Sequence, residues 1–151
     1  MTFVIKRQSL LPRIDGIQRD KEKLQQLSEK SLIEFEQEEN FILAQFYLRR
    51  ALEGVFHIGG HILSRVFGGR ATQYKEIAIK LGEAGIVERS FAMNELKNMA
   101  GYRNRLTHFY ADITPTEIHS ILTNHLKDFD IFLLAIKNLI EHPEKFNVTI
   151  E

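Results

Sequence analysis

The chain has 151 residues, 44% of them hydrophobic and 26% charged, which suits one soluble domain built on a single core. Its 20 basic and 20 acidic residues cancel, which argues against whole-molecule attraction to nucleic acid or to an anionic membrane. The absence of cysteine excludes disulfides, thiolate zinc sites and a cysteine nucleophile, and it points to a cytoplasmic location.

The opening "MTFVIKRQSL" carries only a brief apolar run, so no signal peptide is expected. The longest apolar stretch, "IFLLAI" at 131–136, falls far short of the roughly 20 residues of a membrane span. Strand signals are nearly absent, whereas helix signals recur. A first helix is predicted from about Leu11 to Phe35, with Pro12 in its first turn, where a missing N–H costs little. A second should run from about Asn40 to Phe67, on a stripe that includes Ala44, Leu48, Leu52, Val55 and Ile62. Gly54, Gly59 and Gly60 weaken that helix but admit a close neighbour. "GGR" at 68–70 should end it.

"TQYKEIAIKLGEAGI" reads as a shorter helix stopped near Gly82 or Gly85, and a third long helix follows from about Glu88 into the 101–108 region. The last helix has the clearest start, with Thr114, Pro115 and Glu117 spelling a capping box with proline at the first helical position. It is expected to run unbroken to Pro143 on a stripe from Ile118 through His125 to Ile140. Four long helices, one short one and short connections predict an all-α fold, an up-and-down four-helix bundle filling one domain over residues 1–151. Charge is uneven along it: from Arg49 to Arg105 basic residues exceed acidic ones by five, while "EFEQEEN" at 34–40 holds four of the compensating acids. Most of this is surface scatter, with a local basic face around residues 49–105 as the sharper reading.

The segment "YRNRLTHFY" at 102–110 is too polar for a core and unusually specific for a solvated helix end. Arg103, Asn104, His108 and Tyr110 fall within eight positions. Taken singly they have plain structural roles: an arginine paired with an acid, a histidine capping a helix end, a tyrosine packing as an amphipathic ring. Taken together they resemble the signature of the HEPN superfamily, and the His-x-Tyr extension resembles its HepT-like branch. "LGEAGIV", "MAGYRNRLTHFYADI" and "RRALEGVFHIGGHIL" are similar to segments of that branch, and the likeness extends over about residues 41–140.

The resemblance implies a metal-independent endoribonuclease toxin that needs no cofactor. Its homodimer would set two motifs in one cleft, and its antitoxin partner would be a small nucleotidyltransferase that adenylylates the motif tyrosine, here Tyr110. It assigns catalysis to Arg103, Asn104 and His108. Helical domains of the superfamily also serve as non-catalytic partner or substrate-binding subunits of nucleotidyltransferases, which is the alternative function.

The residue types suit RNA cleavage on their own chemistry. Attack of a ribose 2′-OH on the adjacent phosphate needs a base, an acid and positive charge. Histidine supplies either proton role near neutral pH, and arginine matches the phosphorane. One histidine cannot hold both protonation states, but two in a dimer can. Asn104 could orient the phosphate or the histidine. Positions 103 and 110 would share one face of a regular helix, whereas His108 lies about 140° from Arg103. A straight helix would therefore separate them, so the helix must bend or end between them, or the site must form where two protomers meet.

The other histidines read as structural. His57 and His61 have an i, i+4 spacing that can hold zinc, but without a flanking His-Glu-x-x-His pattern one should pack and the other face solvent. His125 is expected in the core and His119 at the surface. Gly59-Gly60 and Gly68-Gly69 lack the preceding strand and following Gly-Lys-Ser/Thr of a phosphate loop.

Overall fold

Phe3–Ile5 (β1) and Val148–Ile150 (β2) pair in parallel, with Phe3 opposite Val148 and Ile5 opposite Ile150. In the computed structural model, which describes residues 3–66 and 71–151, everything between these two strands is helix, turn or loop. The pairing ties the two ends of the chain together, and Ile5 and Val148 join the core. The near absence of strand signals in the sequence leaves this pair unannounced. Three-residue strands are too short for an alternating pattern to announce them.

Helix α1 is Leu11–Ser28, with Pro12 in its first turn as expected. It does not continue to Phe35. The chain leaves the helix at Glu29 and restarts at Ser31, whose hydroxyl caps Glu34 N–H while the Glu34 carboxylate returns to Ser31 N–H. This complete capping box opens a one-turn helix, α2 (Leu32–Phe35). A satisfied cap makes a second helix start locally cheaper than a continuous helix. Phe35 is fully buried by the turn.

Helix α3 (Asn40–Val66) carries the predicted stripe into the core; the expected extension to Phe67 and the stop at 68–70 lie outside the described residues. It packs along α1, with Ile17 against Gly54 and Asp20 against Arg50. Residue numbers rise on one helix as they fall on the other, so the two are antiparallel. Asp20 is a buried carboxylate; Arg50 Nε and Nη2 reach its two oxygens at 2.8 and 2.5 Å. Helix α4 (Tyr74–Glu83) lies across Gly59, where a Cβ would sit 2.9 Å from Leu81 and 3.0 Å from Ile77. The glycine gives α4 the room it occupies.

The third long helix is composite. A turn of α5 (Arg89–Phe91) opens into a π-helical turn, Ala92–Leu96, and then α6 (Lys97–His108). The wide turn sits where Ala92 meets Gly82 of α4, so closely that a Cβ on Gly82 would lie 2.6 Å from the Ala92 methyl.

The last helix is also divided, into α7 (Pro115–Asn124) and α8 (Lys127–Glu141). The expectation of one unbroken element fails at His125, which leaves helical geometry at φ −124° and ψ 3°. The reorientation puts His125 outside and Asp128 inside, so His125 is solvent-exposed rather than a core residue. The opposite correction applies to His119. It is half-buried, donates from Nε2 to the Lys30 carbonyl at 2.7 Å, and lies 5.4 Å from the Phe35 ring. His57 is exposed and His61 half-buried, as their spacing predicted. Among the described residues no cluster of metal-ligating side chains forms, and no helix is long and apolar enough to cross a membrane. The fold is all-α in its core, with one continuous hydrophobic cluster shared by α1, α3, α4, α6, α7 and α8.

Candidate functional site

Leu106, buried at the middle of the motif, anchors α6 to the core, and the polar residues around it project from the remaining faces. Thr107 donates its hydroxyl to the Arg103 carbonyl one turn back, so the hydroxyl is satisfied within α6. Phe109 then leaves the helix at φ −132° and ψ 31°, and Tyr110–Asp112 form a 3-10 turn leading to Thr114.

This end point revises the expected geometry. Helix α6 neither bends nor ends between Arg103 and His108; both belong to it. Within one protomer, helical spacing therefore keeps them about 140° apart. Tyr110 lies beyond the helix, so it does not share a helix face with Arg103. Arg103 and Asn104 are half-buried, whereas His108, Phe109 and Tyr110 form an exposed end. The structure thus joins Arg103 to Asn104 by a hydrogen bond and leaves His108 and Tyr110 exposed, two residues apart, at the end of α6 and on the turn after it.

Arg103 sits in a shallow nest. Its guanidinium lies 4.3 Å from the centre of the Tyr74 ring, Nη1 donates to Asn104 Oδ1 at 3.3 Å, and Glu53 Oε1 stands 3.8 Å from Nη2. Its Nε is buried without a hydrogen-bond partner among the described residues. Stacking on an aromatic face holds a guanidinium without using its donors. Glu53, at 3.8 Å, is outside hydrogen-bond range. The result is a positioned cation, partly desolvated, with donor capacity left for an anion. Sequence reading missed Glu53 and Tyr74; they come from α3 and α4, and nothing local to the motif points to them.

On another face of α6, Glu117 of α7 gathers three donors. It accepts from the Tyr102 hydroxyl and from Arg105 Nη1, and Arg105 Nη2 lies 3.2 Å from its second oxygen. The predicted capping box is therefore only half made: Thr114 accepts from Glu117 N–H, but the carboxylate turns to α6 instead of back to Thr114. Charged hydrogen bonds from an arginine outweigh one backbone N–H. Arg105 holds the Glu117 carboxyl below the usual range, and burial, reinforced by Glu117, pushes the Tyr102 phenol up to about 12. This latch joins α6 to α7 on either side of the 109–114 connection, and so fixes the helix end that carries His108 and the turn that carries Tyr110.

The chain is similar to known proteins over most of its length. The family model described as ribonuclease HepT-like matches residues 17–136. A tRNA nuclease HepT from Aphanizomenon flos-aquae (strain 2012/KM1/D3) is 27% identical over 116 residues, covering 77% of this chain and 76% of that protein. The solved structure of a tri-AMPylated Shewanella oneidensis HEPN toxin in complex with MNT antitoxin superposes with a TM-score of 0.74 at 25% identity, over 85% of this chain and 96% of that one. A solved toxin–antitoxin structure with AMP-PNP shares the fold, with a TM-score of 0.74 at 23% identity, over 84% of this chain and 96% of that one. With the family model spanning most of the helical core and the Arg-Asn-x-Leu-x-His-x-Tyr string on α6 and the turn after it, the chain belongs to the HepT-like ribonuclease family, endoribonucleases of the HEPN type.

Proposed function

We propose that the chain is the toxin of a toxin–antitoxin pair and cuts RNA without a metal, using a site shared by two protomers. The observation that carries this reading is the state of Arg103. It is stacked on Tyr74, not closely paired with an acid, and retains a buried unpartnered Nε. A permanent cation kept partly dry and unsaturated stabilises the charge that develops on a phosphorane.

The separation of Arg103 from His108 along a regular α6 supports a dimeric site, because a second copy can bring its own His108 to the first. One His108 takes the proton from the ribose 2′-OH as that oxygen bonds to phosphorus. The other His108 protonates the departing 5′-oxygen as the P–O5′ bond breaks. A 2′,3′-cyclic phosphate and a 5′-hydroxyl are left. Asn104, which accepts from Arg103, orients the guanidinium. No cofactor takes part, and DNA, lacking the attacking hydroxyl, is not cut. The substrate class is RNA, tRNA or mRNA, in the cytoplasm.

The antitoxin is a nucleotidyltransferase, in keeping with the MNT antitoxin bound to the Shewanella toxin. Tyr110 is its target: the ring is well exposed on the turn next to His108, within reach of an external active site. An adenylate there adds negative charge and bulk where RNA phosphate must approach.

The test is cleavage of total tRNA and mRNA by wild type, His108→Ala and Arg103→Ala in EDTA, with light scattering on each. Wild type should cut as a dimer, and each variant should stay folded and lose about 10²-fold or more. Unchanged cleavage by His108→Ala would overturn the mechanism, and no cleavage by any protein would leave the non-catalytic partner subunit as the function.

A further inference from the structure

A groove of about 710 Å³ opens between α6 and α7, on the face of α6 that carries Gly101 and Arg105 rather than Arg103. From this groove, and resting on the RNA-cleavage reading above, we infer a second RNA subsite, one that holds a nucleotide flanking the cut.

Three observations point there. The floor is apolar, with Leu48, Met99 and Phe129 buried beneath it. The mouth holds Lys75 and Lys97, neither of which makes an ion pair among the described residues, with the neutral hydrogen-bonding groups of Asn98 and Ser120 beside them. Arg105 and Glu117 are occupied by each other, and Asp128 faces His125 at 3.7 Å, which leaves Glu95 as the one unpaired acid at the rim. An apolar floor with neutral polar groups and cations at its edge suits a base, its polar edge and its phosphate.

The second observation is Gly101. Glycine inside a helix costs about 1 kcal/mol against alanine; at Gly59 and Gly82 that cost has a packing reason, whereas Gly16 and Gly60 have no close neighbour. A Cβ would meet a neighbouring side chain at 2.9 Å at Gly59 and at 2.6 Å at Gly82. At Gly101 the nearest atom would be Lys75 Cε at 3.7 Å, an ordinary contact. Packing does not require this glycine; what it does is keep the groove open.

The third is alignment with the chemistry. Lys97, Gly101, Arg105 and His108 are spaced four, four and three apart, which puts them on one face of α6. His108 lies about 10 Å beyond Gly101 along the axis. A strand leaving the cut along this face passes over the groove.

The experiment uses the full-length protein and an oligoribonucleotide with one cut site, in which each flanking base is removed in turn. For wild type, one abasic position should raise KM about 5- to 100-fold, the span of a lost base–aromatic or base–apolar stack, while kcat stays within about twofold. Gly101→Leu, which plugs the groove with a good helix former, should show that high KM on intact substrate and no response to the abasic position. Gly101→Ala should melt higher than wild type and raise KM by less. Binding is read separately from cleavage by titrating the uncuttable 2′-O-methyl oligonucleotide against ¹³C-methyl methionine-labelled protein. The Met99 methyl should shift in wild type and not in Gly101→Leu. A shifted Met99 without any cleavage would keep the subsite and sink the mechanism. Normal cutting with a flat abasic profile and a silent Met99 would sink the subsite alone. So would Gly101→Leu turning the dimer into a monomer, because a second copy of the chain would then be the groove's occupant.

Discussion

Raising the pH should loosen the latch at Tyr102 before it reaches any arginine. The phenol is raised from its ordinary 10 to about 12 by burial and by Glu117, the acceptor of its hydrogen bond. A group with a raised folded pKa stabilises the fold fully below its unfolded pKa and loses that contribution as pH climbs to the folded one. The window here is pH 10 to about 12. Two pH units at about 1.36 kcal/mol each set a ceiling near 2.7 kcal/mol, and partial exposure of the ring reduces it to about 2 kcal/mol. The chain has four tyrosines and no tryptophan, so phenolate absorbance can be followed without interference. Wild type should show one phenol ionising near 12, and Tyr102→Phe should lack that step. Denaturant unfolding of wild type at pH 9 and pH 11.5 should reveal the loss, and Tyr102→Phe should lose about 1–1.5 kcal/mol less over the same interval. If the highest phenol step survives in Tyr102→Phe, the buried Tyr102–Glu117 contact is not the cause and the latch argument fails.

At the acid end, the lowered Glu117 carboxyl contributes stability above its ordinary pKa that is lost as pH falls through the folded value; Glu117→Gln should flatten the decline of melting temperature below about pH 4.5. His119→Ala removes a partly buried hydrogen bond and the contact with Phe35, worth about 1–2 kcal/mol, or several degrees of Tm. His125→Ala, at an exposed pair with Asp128, should change Tm by about a degree or two, and equal losses in the two variants would contradict the placement of α7 and α8. Arg50→Ala leaves the buried Asp20 carboxylate without its partner and should cost about 2–3 kcal/mol in chemical denaturation. The double variant with Asp20→Asn should recover part of that, whereas simple additivity would mean the pair is not coupled.

Helical periodicity alone determined the class of fold. The stripes of α1, α3 and α8 face the core as read, because an amphipathic helix has one way to hide its apolar side. The motif string was legible too, since its residues are local: Arg103, Asn104 and His108 lie within two turns of α6. The breaks were less legible. Those at Glu29 and His125 interrupt stripes that continue in sequence, and they are set by caps and by which side chain the core admits. This is why His125 and His119 exchanged places: on a straight helix His125 belongs to the stripe, but the kink turns it outward and buries Asp128 instead. The environment of the site was decided wholly in three dimensions. Tyr74 and Glu53 reach Arg103 from α4 and α3, and Glu117, which the sequence presents as a cap, is drawn to Arg105 and Tyr102 because the Arg105 guanidinium and the Tyr102 hydroxyl together outweigh one backbone N–H. Local spacing can tell which residues carry chemistry, but what surrounds them depends on which helices meet, and packing of the whole core settles that.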